Sequence, residues 1–133
     1  MNQEPHHRGR RGRPPQRAFL VEDDYPTLQL LQDVAASVGL EPVPFSRLSA
    51  ARRALREGVP EVVVVDDDLP DGQGADLVRE LRANPRTRHV RVLFCTAASQ
   101  DRCRDLGRLA PVINKPFDLT RMERALAEVA ASH

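Results

Sequence analysis

Apolar and polar positions along this chain follow two alternating rhythms. Ala18-Phe19-Leu20-Val21, Glu61-Val62-Val63-Val64-Val65, Val90 to Cys95 and Val112-Ile113-Asn114 are short, mostly apolar runs. Such runs, rich in β-branched side chains, predict strands, and the four consecutive valines predict one buried on both faces. The segments between them carry a helical period. Pro26 to Val38 puts Leu28, Leu31, Val34 and Val38 on one face, with Gly39 just past the end, where glycine closes helices. Arg47 to Glu57 repeats the pattern through Leu48, Ala51 and Leu55 and closes at Gly58. Ala75 to Ala83 does so through Leu77, Val78 and Leu81. Ser99 to Leu106 predicts a short polar helix. Asp118 is a suitable N-cap for a last helix with Met122, Leu126 and Val129 inward. Val43 and Phe45 alternate with Pro42 and Pro44, which confines that strand to an edge.

Strands alternating with helices in this way predict an α/β fold. Parallel strands are joined by right-handed crossovers, with helices on both faces of a doubly wound sheet. Ligands of such sheets sit beyond the carboxyl ends of the strands. The residues immediately after each strand are therefore the candidate chemistry. Glu22, Asp23 and Asp24 follow the first strand, and Asp66, Asp67 and Asp68 follow the third. Thr96 and Ala97 follow the fourth, and Lys115 follows the fifth. Only the second, ending at Ser46, offers little.

Carboxylates gathered at one rim repel one another unless a cation joins them. All-oxygen ligands favour a hard ion, and partly hydrated Mg²⁺ fits that donor set. A carboxylate-held metal facing a lysine and a hydroxyl suits a phosphoryl group. An Asp carboxylate can serve as its nucleophile, forming an aspartyl phosphate. On these grounds either Asp23 or Asp66 could be that nucleophile. Asp24, Asp67 and Asp71 read more simply as helix caps or loop residues.

Composition sharpens this picture. The chain has 133 residues, the size of one domain. Of its 20 basic residues, 19 are arginine and one is Lys115. Residues 1–17 hold five arginines against Glu4, with glycine and proline and little to bury, so they predict a disordered basic arm. Such an arm either contacts nucleic acid or an acidic partner, or only solubilises, and the solubilising reading is the simpler. No apolar run approaches the roughly 18–20 residues of a membrane span, and the polar start lacks a secretory h-region. Cys95 and Cys103 lack metal spacing and read as free thiols in a reducing, cytoplasmic setting.

Residues 18–131 resemble the receiver domain of two-component response regulators. The resemblance rests on Phe19-Leu20-Val21-Glu22-Asp23-Asp24, Val62 to Asp66 followed by Leu69-Pro70 and Gly74, Thr96-Ala97, and Lys115-Pro116-Phe117. It implies a flavodoxin-like (βα)5 fold with strand order 2-1-3-4-5. It implies that Asp66 accepts a phosphoryl group from a sensor histidine kinase or phosphotransfer protein. It further implies that Asp23, Asp66 and the backbone carbonyl of Asp68 ligate Mg²⁺, with Glu22 acting through water. Thr96 and the Ala97 N–H would bond the phosphoryl group, Lys115 would pair with it, and the Lys115–Pro116 peptide would be cis. A domain of this kind signals by protein–protein interaction and is not an enzyme in the ordinary sense.

The chain also departs from the family pattern. Val112 stands where Tyr or Phe is usual. Thr96 and Lys115 are 19 positions apart, a short span, and Pro111 precedes the fifth strand. These changes fall on a face where many receivers dimerise. Asp68 and Ala98 occupy positions that commonly tune dephosphorylation. The expectation is a stand-alone receiver, since only 18 residues follow Lys115. Two alternatives are a receiver-like interaction module that works without phosphorylation and a haloacid-dehalogenase-like phosphatase. The phosphatase is the weaker, because no suitable acid follows Lys115 except Asp118.

Overall fold

A computed structural model describes residues 16–132. The elements, in chain order, are β1 (Arg17–Val21), α1 (Tyr25–Ser37), β2 (Glu41–Phe45), α2 (Leu48–Glu57), β3 (Val62–Val65), β4 (Asp68–Leu69), β5 (Gly72–Gln73), α3 (Gly74–Ala83), β6 (Arg91–Thr96), α4 (Gln100–Gly107), β7 (Val112–Asn114) and α5 (Leu119–Ala131). Five parallel strands form one sheet in the order β2-β1-β3-β6-β7. With β6 and β7 as its fourth and fifth strands, this is the 2-1-3-4-5 order expected from the sequence. The chain reverses direction across the sheet between β1 and β3, which places a crevice at their carboxyl ends.

The strands at the centre are buried because both faces are covered. Val62 to Val65 are all buried, as are Ala18 to Val21. Odd and even positions serve opposite cores. Phe19, Val21, Val63, Val65 and Phe94 pack with α2, α3 and Leu106 of α4, whereas Ala18, Leu20, Val62 and Val64 pack with α1 and α5. Removing a buried side chain of this kind loses about 1.5–3 kcal/mol of burial. Among the described residues, no helix is long and apolar enough to cross a membrane.

Helix ends follow the expected chemistry. Asp24 caps α1 by accepting from Thr27 N, Ser99 caps α4 and Asp118 caps α5. Gly39, at φ +86°, closes α1 with paired bonds from Gly39 N to Ala36 O and from Leu40 N to Ala35 O. A side chain there would be strained in that left-handed conformation.

Two features correct the sequence reading. Arg17, assigned to the basic arm, is the first residue of β1. Its carbonyl accepts from Glu61 N, and its guanidinium lies 5.6 Å over the Phe19 ring. Gln16, also assigned to the arm, accepts from Glu41 N through its carbonyl, and residues 1–15 of the proposed arm lie outside the described residues. The loop after Asp66 also carries a small antiparallel hairpin, β4–β5, that the apolar pattern did not indicate.

That hairpin delivers Asp71 to α2. The residue at the α2 N-cap is Arg47, which makes no side-chain cap bond. Instead Asp71 Oδ1 and Oδ2 accept from Leu48 N and Ser49 N, each at 2.9 Å. These bonds hold the Asp71 carboxyl below its ordinary value of 3.8. The stability it contributes is present above that ordinary value and is lost as pH falls through the lowered one. Asp71→Ala is therefore expected to lower the thermal midpoint at neutral pH, with the deficit closing in strong acid. Melting curves across a pH series test this, and a deficit that persists below pH ~2 would contradict it.

Candidate functional site

The carboxyl ends of β1, β3, β6 and β7 converge on a cavity of about 700 Å³. Its walls include Glu22, Asp23, Asp66, Asp68, Thr96, Ala97 and Lys115, the full set of candidate metal and phosphoryl-binding residues from the sequence. It is also lined by Asp67, Gln73 and Arg102.

The ladders extend one residue past the strands and fix the acids. Glu22 N donates to Phe45 O at 2.9 Å, and Asp66 N donates to Val21 O at 3.1 Å. The two acidic ends are thereby held side by side. Ligand oxygens of Glu22, Asp23 and Asp66 lie within 4.8 Å of one another. Glu22 and Asp66 are buried and Asp23 is exposed.

Lys115 is the counter-ion. Its Nζ lies 2.7 Å from Glu22 Oε1 and donates to Asp66 Oδ2 at 3.0 Å. Burial opposes its charge, but the bonds to Glu22 and Asp66 outweigh that and hold the ammonium above the ordinary lysine range. Burial pushes the Glu22 carboxyl up from its ordinary value, against the pull of Lys115 and of Asp24 N, which donates to Oε2 at 3.0 Å. The Lys115–Pro116 peptide is cis.

The other Asp66 oxygen, Oδ1, accepts from Asp68 N at 3.2 Å. Thr96 is buried at the end of β6, its hydroxyl oxygen accepting from Ala98 N at 3.3 Å while its own proton remains available to donate. Cys95, next to it, is buried, and burial pushes its thiol up to about 12. Asp68 is exposed on β4 at the cavity rim.

Asp67 meets the helix-cap half of its expectation and adds an ion pair that the sequence did not indicate. It is buried, its Oδ1 accepts from Ala75 N at the start of α3, and both its oxygens accept from Arg102 on α4. The sequence reading passed over Arg102. Its place in the first turn after Ser99 was visible, but a partner 35 residues away was not.

The donor set fits a hard divalent cation. All three grouped ligands are carboxylate oxygens, and two of the three residues are buried. A doubly wound sheet with an acidic pocket, a lysine and a hydroxyl at its carboxyl edge defines the class of protein. The chain belongs to the response regulator receiver domain family, whose model matches residues 18–127.

Among its relatives, the phosphate regulon transcriptional regulatory protein PhoB of Escherichia coli is 32% identical over 104 residues, 76% of this chain and 45% of that protein. The chain thus spans about half the length of such relatives. The polar-differentiation response regulator DivK of Brucella anthropi is 26% identical, covering 80% of this chain and 89% of its own length. In structure, the receiver domain of the sensor histidine kinase PA1611 of Pseudomonas aeruginosa aligns with a TM-score of 0.77 and 23% identity. That alignment covers 90% of this chain and all of the other, which holds a magnesium ion in its active-site cleft. Family membership leaves the dehalogenase-like alternative without support.

Proposed function

We propose that this domain accepts a phosphoryl group on Asp66 from a phosphohistidine of a sensor kinase or phosphotransfer protein, with Mg²⁺ bound, and passes the signal on by binding another protein. The observation that carries the reading is Lys115 bridging Glu22 and Asp66 at one sheet edge, with Thr96 at the end of the next strand. In the transfer, an Asp66 carboxylate oxygen forms the new bond to phosphorus. The P–N bond of the phosphohistidine breaks, and its electron pair stays on the departing imidazole nitrogen. Asp23, Asp66 and the Asp68 carbonyl would hold the metal, with Glu22 assisting through water. When bound, Mg²⁺ supplies charge neutralisation for the phosphoryl oxygens.

Lys115, freed from Asp66 as that oxygen is esterified, pairs with the phosphoryl group. The Thr96 hydroxyl and the Ala97 N–H donate to its remaining oxygens. DivK, itself named a response regulator, supports the signalling role. The Mg²⁺ in the PA1611 receiver supports the choice of metal.

The test is incubation with a small acyl phosphate and Mg²⁺, followed by mapping of the label. Label on Asp66 that requires Mg²⁺ is expected, and no label, or label elsewhere, overturns the reading. Lys115→Arg probes the next step. A planar guanidinium cannot match an ammonium held 2.7 and 3.0 Å from two carboxylates. The variant is expected to take label while losing any partner binding that labelling strengthens in the parent. Unchanged label-dependent binding in a pull-down would refute this.

A further inference from the structure

Asp67 follows the proposed acceptor and is only 5% exposed. Its Oδ2 accepts from Arg102 Nε at 2.8 Å, and its Oδ1 accepts from Arg102 Nη2 at 3.1 Å and from Ala75 N at 3.0 Å. The pairing is the two-bond fork of a guanidinium on a carboxylate. It joins the loop after β3 to the first turn of α4, and Arg102 lines the same cavity as Asp66, Thr96 and Lys115. Nothing in the acceptor chemistry uses it.

The pocket already holds Glu22, Asp23 and Asp66 against one ammonium. A further carboxylate beside them, itself buried, adds a full negative charge unless it is matched. Arg102 matches it. Breaking a buried pair by removing one partner leaves the other charge uncompensated. Removing the guanidinium therefore makes the pocket more negative, and removing the Asp67 carboxylate makes it more positive.

We propose that the Asp67–Arg102 pair sets the charge balance of the acceptor pocket, so that Arg102 is a positioning residue controlling how tightly the pocket holds a divalent cation and how long it keeps a phosphoryl group. The phosphoryl half rests on the function proposed above, and the cation half rests on the pocket's geometry alone. A merely structural strut behaves differently. Losing either end of a strut loosens the same loop, so both variants would shift in one direction.

The experiment measures Mg²⁺ affinity by titration calorimetry, and the lifetime of label from a small acyl phosphate, on the full chain. Arg102→Gln is expected to bind Mg²⁺ about three- to tenfold more tightly and to lose label faster by a similar factor. Asp67→Asn is expected to do the reverse on both counts. The double variant is expected to return to within about twofold of the parent. Arg102→Lys, which keeps the charge and loses the fork, is expected to retain the parent affinity.

Mg²⁺ affinities that shift in one direction for both single variants, or that stay within about twofold of the parent, overturn the proposal. So does an Arg102→Lys affinity equal to that of Arg102→Gln. Opposite Mg²⁺ shifts in a protein that takes no label would bear out the charge balance while overturning the acceptor reading.

Discussion

Asp66→Asn is expected to abolish labelling by a small acyl phosphate while leaving the protein folded. An amide lacks the anionic oxygen that the proposed transfer needs to attack phosphorus, so the loss should be complete rather than partial. The fold should survive because Lys115 keeps its second partner, Glu22, at 2.7 Å. The thermal shift that Mg²⁺ produces should shrink, since a cation that binds the native state less tightly stabilises it less. Mass-mapped labelling and melting curves with and without Mg²⁺ check both halves. A variant that labels at the parent rate, or one that no longer melts cooperatively, would contradict the assignment.

Gly74→Ala is expected to be the most damaging substitution of a residue that does no chemistry. A Cβ at Gly74 would stand 2.3 Å from the Asp66 carbonyl oxygen and 2.9 Å from Val65 Cγ2. Neither neighbour can yield cheaply. The carbonyl belongs to the backbone just past β3, which is paired to β1 on one side and β6 on the other. Overpacking of this kind costs about 3 kcal/mol. It also pushes on the proposed phosphoryl acceptor, and a displacement near 1 Å there would slow transfer by roughly tenfold to a hundredfold. Urea unfolding and the labelling rate measure the two effects. Gly107→Ala is the control, because a Cβ there meets nothing within 4 Å. Equal behaviour of the two alanine variants would remove the steric explanation.

The sheet was legible in the sequence because unbroken apolar runs such as Val62 to Val65 have few other uses. The acids at its rim were legible because Glu22, Asp23 and Asp66 directly follow those runs, and Lys115 stood out as the single lysine. Choosing Asp66 over Asp23 as acceptor required the family resemblance, since both follow buried central strands. What the sequence did not reveal is which distant partners certain side chains find. Asp71 caps a helix that begins 23 residues earlier, and Asp67 meets an arginine 35 residues later. Such pairings depend on how helices are rotated and set against the sheet. Local periodicity specifies which face turns inward, not which charged tip on the rim meets which.

The prolines of β2 have a consequence of their own. Glu41 N donates inward to Gln16 O, and β2 pairs with β1 through Val43 and Phe45. Strand alternation therefore turns the nitrogens of Pro42 and Pro44 toward the open side of the sheet. Neither has a hydrogen to offer, so an incoming strand would find acceptors there without the matching donors. The opposite margin is β7, only three residues long. Both borders of the sheet thus discourage further strands from adding on, a safeguard against edge-to-edge aggregation that is written in backbone chemistry and independent of surface charge.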